Sequence, residues 1–423
     1  MSNLSLHATQ EVNENTFEGQ LKISVISSIG IIPIEDAEVS VFSQNDPSAP
    51  IITLTTDSSG QTPVIELPAP DISLSLSPSE IQPYSEYNIR VTAEGYEPVY
   101  VSGSEILPDE LSLQPIRMTP LEVPSDEDEN IVVIPAHTLF GDYPPKIPEA
   151  EIKPLAETGE IVLSRVVIPE YVIVHDGVPS DNTVQNYYVR YKDYIKNVAS
   201  CEIYSTWPEA AIYANILAIM SFTLNRVYTE WYRGQGYNFT ITSSTAYDQK
   251  WIYGRNIFEN IDILVDSVFA NYLSRPGVRQ PIFTSYCDGR RVTCNGLSQW
   301  GSRYLADEGY SAIEILRYYY GNDLYINTAV QISGVPSSYP GYDLSIGASG
   351  DKVRQLQDQL NRISRNYPAI PTLTADGIYG QATAASVRTF QRIFGLPQTG
   401  ITDYATWYEI SDIYVGVTRI AEP

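Results

Sequence analysis

The sequence predicts a multidomain protein in which an all-β sandwich precedes a central α+β domain and a small all-α domain. The chain has 423 residues, which is more than one hydrophobic core usually holds. Its hydrophobic pattern changes from short β-branched runs to a long apolar helix and then to amphipathic helices. The charge is also uneven, because residues 1–130 contain 22 acidic and only 3 basic residues.

Residues 1–120 are predicted to form the acidic sandwich. Clusters of Gly, Pro, Asp and Ser separate its β-branched runs at the spacing of short strands joined by turns. These runs are LKISVIS, AEVSVFS, PIITLTT, YNIRVTA and EPVYVSG. The pattern resembles the transthyretin-like and carboxypeptidase-regulatory-like sandwiches. Phosphate binding requires clustered Lys and Arg. A module this acidic therefore argues against a nucleic acid as partner.

Residues 121–165 are rich in Pro and acidic residues and have no amphipathic period, which predicts an extended linker. The acids Asp126–Glu129 precede the apolar run Ile131–Ile134. Such a tract is usually only solvated, although exposed linkers are also where proteolysis concentrates. We therefore predict a processing site in this linker, between about Asp126 and Pro135.

The rest of the chain is predicted to contain two domains with helices. Residues 166–335 read as an α+β domain around a helix at about 208–232, which is apolar on nearly all faces and therefore belongs in a core. Residues 342–415 read as a small helical domain, since apolar residues recur there at steps of three or four. In its first helix these residues are Val353, Leu356, Leu360 and Ile363.

Two regions resemble known families. The last domain resembles the peptidoglycan-binding type 1 domain, with its D-G-I-(F/Y)-G turn, F-Q pair and closing T-W in ADGIYGQATAASVRTFQRIFGLPQTGITDYATW. The middle domain resembles the catalytic domain of the stage II sporulation protein D family. The matching stretches are YKDYIKNVASCEIYSTWPEAAIYANILAIMSFTL and GLSQWGSRYLADEGYSAIEILRYYYGNDL. This resemblance implies a lytic transglycosylase of peptidoglycan whose catalytic acid is Glu202.

The chemistry of such an enzyme requires one carboxyl group. It protonates the leaving glycosidic oxygen, and the 6-hydroxyl of the muramic acid then attacks C1 to give a 1,6-anhydro product. A carboxyl group can do this near neutral pH when burial keeps it protonated. Glu202 lies between Cys201 and Ile203 at the entrance to an apolar helix, which predicts an apolar environment. The alternative is an acid that forms an ion pair with a Lys or Arg at the start of a helix.

The resemblance also implies polar groups around the cleft of this family. The candidates for sugar binding are Asp248, Gln249, Tyr286, Ser298 and Gln299, which could equally form hydrogen bonds within loops. The family's Lys, Gln and Arg are replaced by Tyr213, Asn215 and Met220, so its polar contacts to glycan are altered.

The three cysteines and three histidines give little reason to expect metal chemistry. Cys287 and Cys294 could form a disulfide or share a metal, whereas Cys201 reads as a small buried residue. No metal-ligand spacing such as HExxH occurs, so neither a metal site nor a cofactor is expected.

The order of the modules resembles the clostridial spore cortex-lytic enzymes, which are made as inactive precursors. This resemblance implies a pro-region of about 130 residues, a subtilisin-like activating protease, and glycan strands of the spore cortex as substrate. It implies a location in the cortex or outer spore layers, and neither a secretory signal peptide nor a membrane span is expected from the sequence. The alternatives are a non-catalytic peptidoglycan-binding protein of the spore or envelope, and an N-acetylmuramoyl-L-alanine amidase.

Overall fold

A computed structural model describes residues 17–44, 46–121, 129–153 and 165–418. The modules follow one another in the predicted order, and mixed sheets precede a helical module. The acids Asp126, Glu127 and Asp128 of the predicted processing site lie outside the described residues.

The first module is a sandwich of two sheets, as predicted. Alternation along β1 buries Leu21, Ile23 and Val25, and these residues pack against alternate residues of the second sheet in one core. One sheet has the strand order β4–β1–β7 and continues into a strand of the middle domain, Ile257–Phe258; the other has the order β3–β2–β5–β6 and continues into the strand Asn130–Val133. The elements of the module are β1 (Phe17–Ser27), β2 (Glu38–Ser43), β3 (Ile52–Thr55), β4 (Ile65–Ala69), α1 (Ser73–Leu76), β5 (Ser85–Thr92), β6 (Val99–Ile106) and β7 (Leu111–Met118).

The predicted linker is extended, and its described part runs along the protein surface with some side chains buried and others exposed. Strand β8 (Asn130–Val133) pairs in parallel with β6, which buries Val132 and leaves Ile131 and Val133 exposed at the sheet edge. Beyond it, residues 134–153 run along the middle domain, and we call them the strap. The strap forms backbone hydrogen bonds to that domain, such as Ile147 N to Ala246 O at 2.7 Å.

The middle domain is α+β, as predicted, and α3 is its central helix. This helix is long and apolar enough to span a membrane, but 83% of its most apolar window is buried inside the protein. The elements are β9 (Val167–Ile168), β10 (Tyr171–His175), β11 (Asn186–Arg190), α2 (Tyr191–Glu202), α3 (Glu209–Tyr228), a 3-10 turn (Arg233–Gln235), β12 (Ile241–Thr242), β13 (Ile257–Phe258), α4 (Glu259–Val268), β14 (Asn271–Ser274), β15 (Tyr286–Cys287), β16 (Leu297–Ser298), α5 (Gln299–Asp307), α6 (Ala312–Tyr320), β17 (Tyr325–Thr328) and β18 (Gln331–Ile332).

The last module contains α7 (Asp351–Ile363), α8 (Gln381–Ile393) and α9 (Tyr404–Thr418). The four apolar residues predicted to form one face of α7 are all buried. Gly377, in the D-G-I-Y-G turn, has a φ of 77°, a backbone conformation that favours glycine. The module contacts the middle domain through α9, since Lys192 on α2 forms ion pairs with Glu409 and Asp412.

The sandwich and the middle domain share one sheet. Strand β13 of the middle domain pairs antiparallel with β7, and Asn256 forms hydrogen bonds with the backbone N and O of Glu105. Beside this contact, Arg255 Nη2 donates to Glu105 Oε2 at 2.6 Å, and both side chains are fully buried. The sandwich is therefore part of the folded body rather than a separately tethered module.

We predict that Glu105→Ala lowers the free energy of unfolding by about 3–5 kcal/mol, because it leaves the buried guanidinium of Arg255 without its carboxylate. Burial raises the pKa of Glu105 to about 7 even with Arg255 beside it, so unfolding in urea should be measured at pH 8. The control is Glu66→Ala on β4, whose side chain is exposed. A similar loss of unfolding free energy in the two variants would contradict the proposed contribution of this ion pair to stability.

Candidate active site around Glu202

Glu202 is the last residue of α2, where the chain leaves one helix and begins the next. Pro208 disfavours helical geometry at the preceding Trp207, so α2 and α3 are separate helices with a short connection. The side chain of Glu202 lies in this connection region and is only 5% exposed. A carboxyl group at this depth needs polar partners.

Glu202 has polar partners from four separate parts of the chain. Its Oε1 accepts from the backbone N of Lys250 at 3.0 Å, and its Oε2 accepts from Gln299 Nε2 at 3.1 Å. Tyr286 OH lies 3.5 Å from Oε1, and Thr138 Oγ1 lies 3.4 Å from Oε2. The predicted apolar environment is therefore wrong at the carboxyl group itself, which N–H and O–H donors surround.

The alternative of an acid in an ion pair does not describe Glu202 either. Among the described residues, no Lys or Arg nitrogen forms an ion pair with its carboxylate. The carboxyl group is held by neutral donors rather than by a cation.

Tyr286 and Gln299 flank Glu202, as the family resemblance implies for groups around the cleft. The parallel pairing of β15 with β16 brings Tyr286 beside Leu297 and so places the start of α5 next to Glu202. Burial, and then the charge of Glu202, raise the pKa of Tyr286, so its phenol keeps its proton. Ser298 has a different role in this structure, because its Oγ accepts from Gly301 N at 2.9 Å and caps α5.

Asp248 and Gln249 lie in the core, fully buried, rather than on a sugar-binding surface. Asp248 accepts from Arg226 Nε at 2.7 Å, Tyr232 OH at 2.6 Å and Thr242 N at 2.9 Å. Gln249 accepts from the hydroxyls of Tyr194 and Thr223 and donates to Ile219 O; in this structure both residues are occupied by protein partners.

Of the three residues that stand in place of the family's Lys, Gln and Arg, two also face the interior. Asn215 donates to Ser302 Oγ at 2.8 Å, and Met220 is fully buried, whereas Tyr213 is partly exposed. Asn215 and Met220 are therefore buried and do not reach a surface where a glycan could bind.

The strap contributes residues that the sequence did not indicate. Thr138 Oγ1 donates to Cys201 O at 2.7 Å, which holds the strap against the end of α2. The ammonium of Lys146 lies 4.7 Å from the ring centroid of Tyr286 and donates to the carbonyl of Asp248. Burial lowers the pKa of Lys146, and the charges of Glu202 and Asp248 oppose that shift. A segment without hydrophobic period gives no local signal for either residue.

Cys287 and Cys294 form a disulfide, with their Cα atoms 6.1 Å apart, which decides between the two predicted possibilities. The loop that they close carries Arg291, whose Nη1 donates to the strap carbonyl of Gly141 at 3.0 Å.

Cys201 is a free, buried thiol, as predicted, and burial raises its pKa to about 11. Within the described ranges, no group of three or more His, Cys, Asp or Glu is placed to hold a metal ion.

Comparison with known proteins identifies the last module. Residues 349–410 match the model of the peptidoglycan binding domain family. The chain carries a peptidoglycan-binding domain. A zinc D-Ala-D-Ala carboxypeptidase of Streptomyces albus G is 43% identical over 68 residues, which are 16% of this chain and 25% of that protein. The chain thus spans a quarter of the length of this curated relative, and the match indicates a peptidoglycan-associated protein.

Similar solved structures cover only parts of the chain. The SleB N-terminal domain is 32% identical, with 17% of this chain and 93% of that one covered, at a TM-score of 0.15. The minor pilin GBS52 of Streptococcus agalactiae is 16% identical, with 26% and 48% covered, at a TM-score of 0.19. TM-scores this low support no conclusion about the fold, so the transthyretin-like and stage II sporulation protein D-like assignments stay predictions.

We predict that Asp248→Asn acts on stability rather than on sugar binding. The change leaves Arg226 buried with half of its ion-pair partners and should lower the free energy of unfolding by about 3 kcal/mol. Asp142→Asn, on the exposed surface of the strap, is the control. An unchanged urea midpoint combined with weaker binding to peptidoglycan would instead support the sugar-binding role.

Proposed function

We propose that this protein cleaves the glycan strands of peptidoglycan as a lytic transglycosylase, with Glu202 as its acid and base. The peptidoglycan-binding domain supports the choice of polymer. The main support for the reaction is that donors from four parts of the chain converge on one nearly buried carboxyl group. Such a convergent polar site in a core is typical of a reactive group.

In the proposed reaction, Glu202 gives its proton to the glycosidic oxygen as the bond from C1 to that oxygen breaks. The carboxylate so formed is stabilised by the Lys250 N–H and by the Gln299 amide, which already point at its oxygens. Glu202 then takes the proton of the muramic acid 6-hydroxyl while O6 bonds to C1. Each cycle therefore returns the carboxyl group to its starting state.

The surroundings of Glu202 favour a one-carboxylate reaction over ordinary hydrolysis. Hydrolases place two carboxylates on either side of the bond that is cleaved. Asp248, the acid on the Lys250 loop, is occupied by Arg226, Tyr232 and Thr242 and is not free for that role. A single free carboxyl group is what intramolecular attack by the 6-hydroxyl requires.

We also propose that the chain is a precursor located in the spore, and that processing within residues 121–165 by a subtilisin-like protease activates it during germination. The strap lies against Glu202 through Thr138, and Arg291 holds the strap from the other side. Access to Glu202 then depends on removing the strap.

Replacement of Glu202 by Gln should abolish glycan cleavage, because the amide N–H is not acidic enough to transfer a proton to the glycosidic oxygen. We expect the yield of 1,6-anhydromuramic ends, measured by mass spectrometry of digested cortex, to fall at least about 100-fold. Glu209→Gln, an exposed acid in the first turn of α3, is the matched control. Retained activity in the Glu202 variant would refute the assignment. Released stem peptides would identify an amidase, and an absence of products from the processed wild-type chain would identify a binding protein.

The position of the cut provides a separate prediction. The cut expected from the sequence, between about Asp126 and Pro135, would leave the strap joined to the middle domain. A cut within residues 154–164 would leave it joined only to the sandwich, so we propose this second site in place of the first. With engineered protease sites, we expect cleavage at 154–164 to raise the rate on decoated spores by about tenfold or more, because it lets the strap leave Glu202. Cleavage at 122–128 should have little effect. An uncut chain as active as the cut chains would rule out a pro-region.

A further inference from the structure

A cleft lies outside the Glu202 site, where residues of all three modules meet. Its volume is about 590 Å³, within the range of sites for small ligands. The outward face of β1 and β7, the strand β11, and the end of α8 together with α9 of the last module contribute its walls. Glu202 is not among the residues that line it, so the cleft is separate from the candidate active site.

One wall of the cleft is aromatic. The ring of Tyr187 is stacked on Tyr253 with centroids 4.9 Å apart, and it lies 5.2 Å from the ring of Trp251. Tyr188, the next residue along β11, is 72% exposed, but successive side chains of a strand point to opposite faces, so its ring does not share the face of Tyr187. Pyranose rings pack their C–H faces on aromatic rings of this kind.

The same wall contains a buried hydrogen-bond donor without an acceptor. Trp251 is 4% exposed, and its indole N–H has no hydrogen-bond partner among the described residues. Buried polar groups are nearly always paired, so an unpaired one in the wall of a cleft suggests that a ligand supplies the acceptor. The acetamido carbonyl or a hydroxyl of an amino sugar has this chemistry.

The opposite wall is basic, although it belongs to the acidic module. Residues 1–130 contain three basic residues, and two of them, Lys22 and Arg117, line the cleft. Arg117 is exposed and forms no ion pair with a described residue, whereas the third, Arg90, pairs with Glu129 away from the cleft. Of the acids in the lining, Asp262, Glu409 and Asp412 are paired with Lys192 or Lys196. Asp193 is the acid that remains, and it faces Arg190.

We propose that this cleft is a second glycan site, which binds a short segment of an anionic amino-sugar strand. Its sugar rings pack on Tyr187, and separate carboxylates of its lactyl or peptide substituents pair with Lys22 and with Arg117, which lie four residues apart along the sheet. The choice of ligand rests on the proposed function. Because the sandwich supplies both cations, the site exists only while the sandwich is attached, and it retains the unprocessed chain on its polymer.

The test is isothermal titration calorimetry on the full chain carrying Glu202→Gln, so that nothing is turned over. The anionic probe is the disaccharide N-acetylglucosaminyl-N-acetylmuramic acid with an L-alanyl-D-glutamate substituent, and the neutral probe is di-N-acetylchitobiose. We expect the double variant Lys22→Gln/Arg117→Gln to bind the anionic probe about tenfold more weakly and the neutral probe unchanged. The matched control is Arg90→Gln, which should behave as the parent chain.

A second variant tests the aromatic wall. Tyr187→Leu should weaken both probes by about fivefold, because it removes the aromatic ring on which the sugar packs. Tyr188→Ala, on the other face of β11, is the control and should bind both probes as the parent chain does. Equal affinity of the anionic probe for the Arg90 and the Lys22/Arg117 variants, or an unchanged affinity for the Tyr187 variant, would overturn the proposal. These measurements test binding alone. They can therefore contradict the second glycan site while 1,6-anhydro products still form, and they can support it where no such products form.

Discussion

The arrangement of this protein depends on the buried ion pair between Arg255 and Glu105. It fixes the segment after Gln249 to the sandwich, and β13 then continues that segment into the sheet of β7. At its other end the same segment presents the Lys250 N–H to Glu202. A charge pair without access to water is costly to separate, so the position of the donor to Glu202 is coupled to the docking of the sandwich.

The strap is bound by a second set of buried charges. Arg226 on α3 pairs with Asp248 in the core and with both oxygens of Glu149 in the strap. Further along, Arg275 makes a two-point contact with Glu151. Two-point contacts between Arg and carboxylate fix orientation as well as distance. The strap is therefore held in register along the middle domain, with Thr138 placed at Glu202.

The peptidoglycan-binding module is connected to the same helix that carries Glu202. Lys192 in the first turn of α2 pairs with Glu409 and Asp412 of α9, and Lys196 one turn later pairs with Asp262 and Asp266 of α4. Glu202 is at the other end of α2. A helix is stiff over this length. The orientation of the peptidoglycan-binding domain relative to Glu202 is therefore set by a few buried contacts.

The sequence by itself determined the features that have a local signal. Alternation predicted the sandwich, an all-round apolar segment predicted the central helix, and steps of three or four predicted α7. Only the tertiary structure decided that Asp248 and Gln249 are in the core, that the linker packs as a strap and that Thr138 reaches Glu202. The physical reason is that these contacts join residues far apart in the chain, such as Thr138 and Glu202 at a separation of 64. A polar residue in a loop has the same local pattern whether it meets water, a sugar or a buried arginine, and only the packing of other segments determines which one it meets.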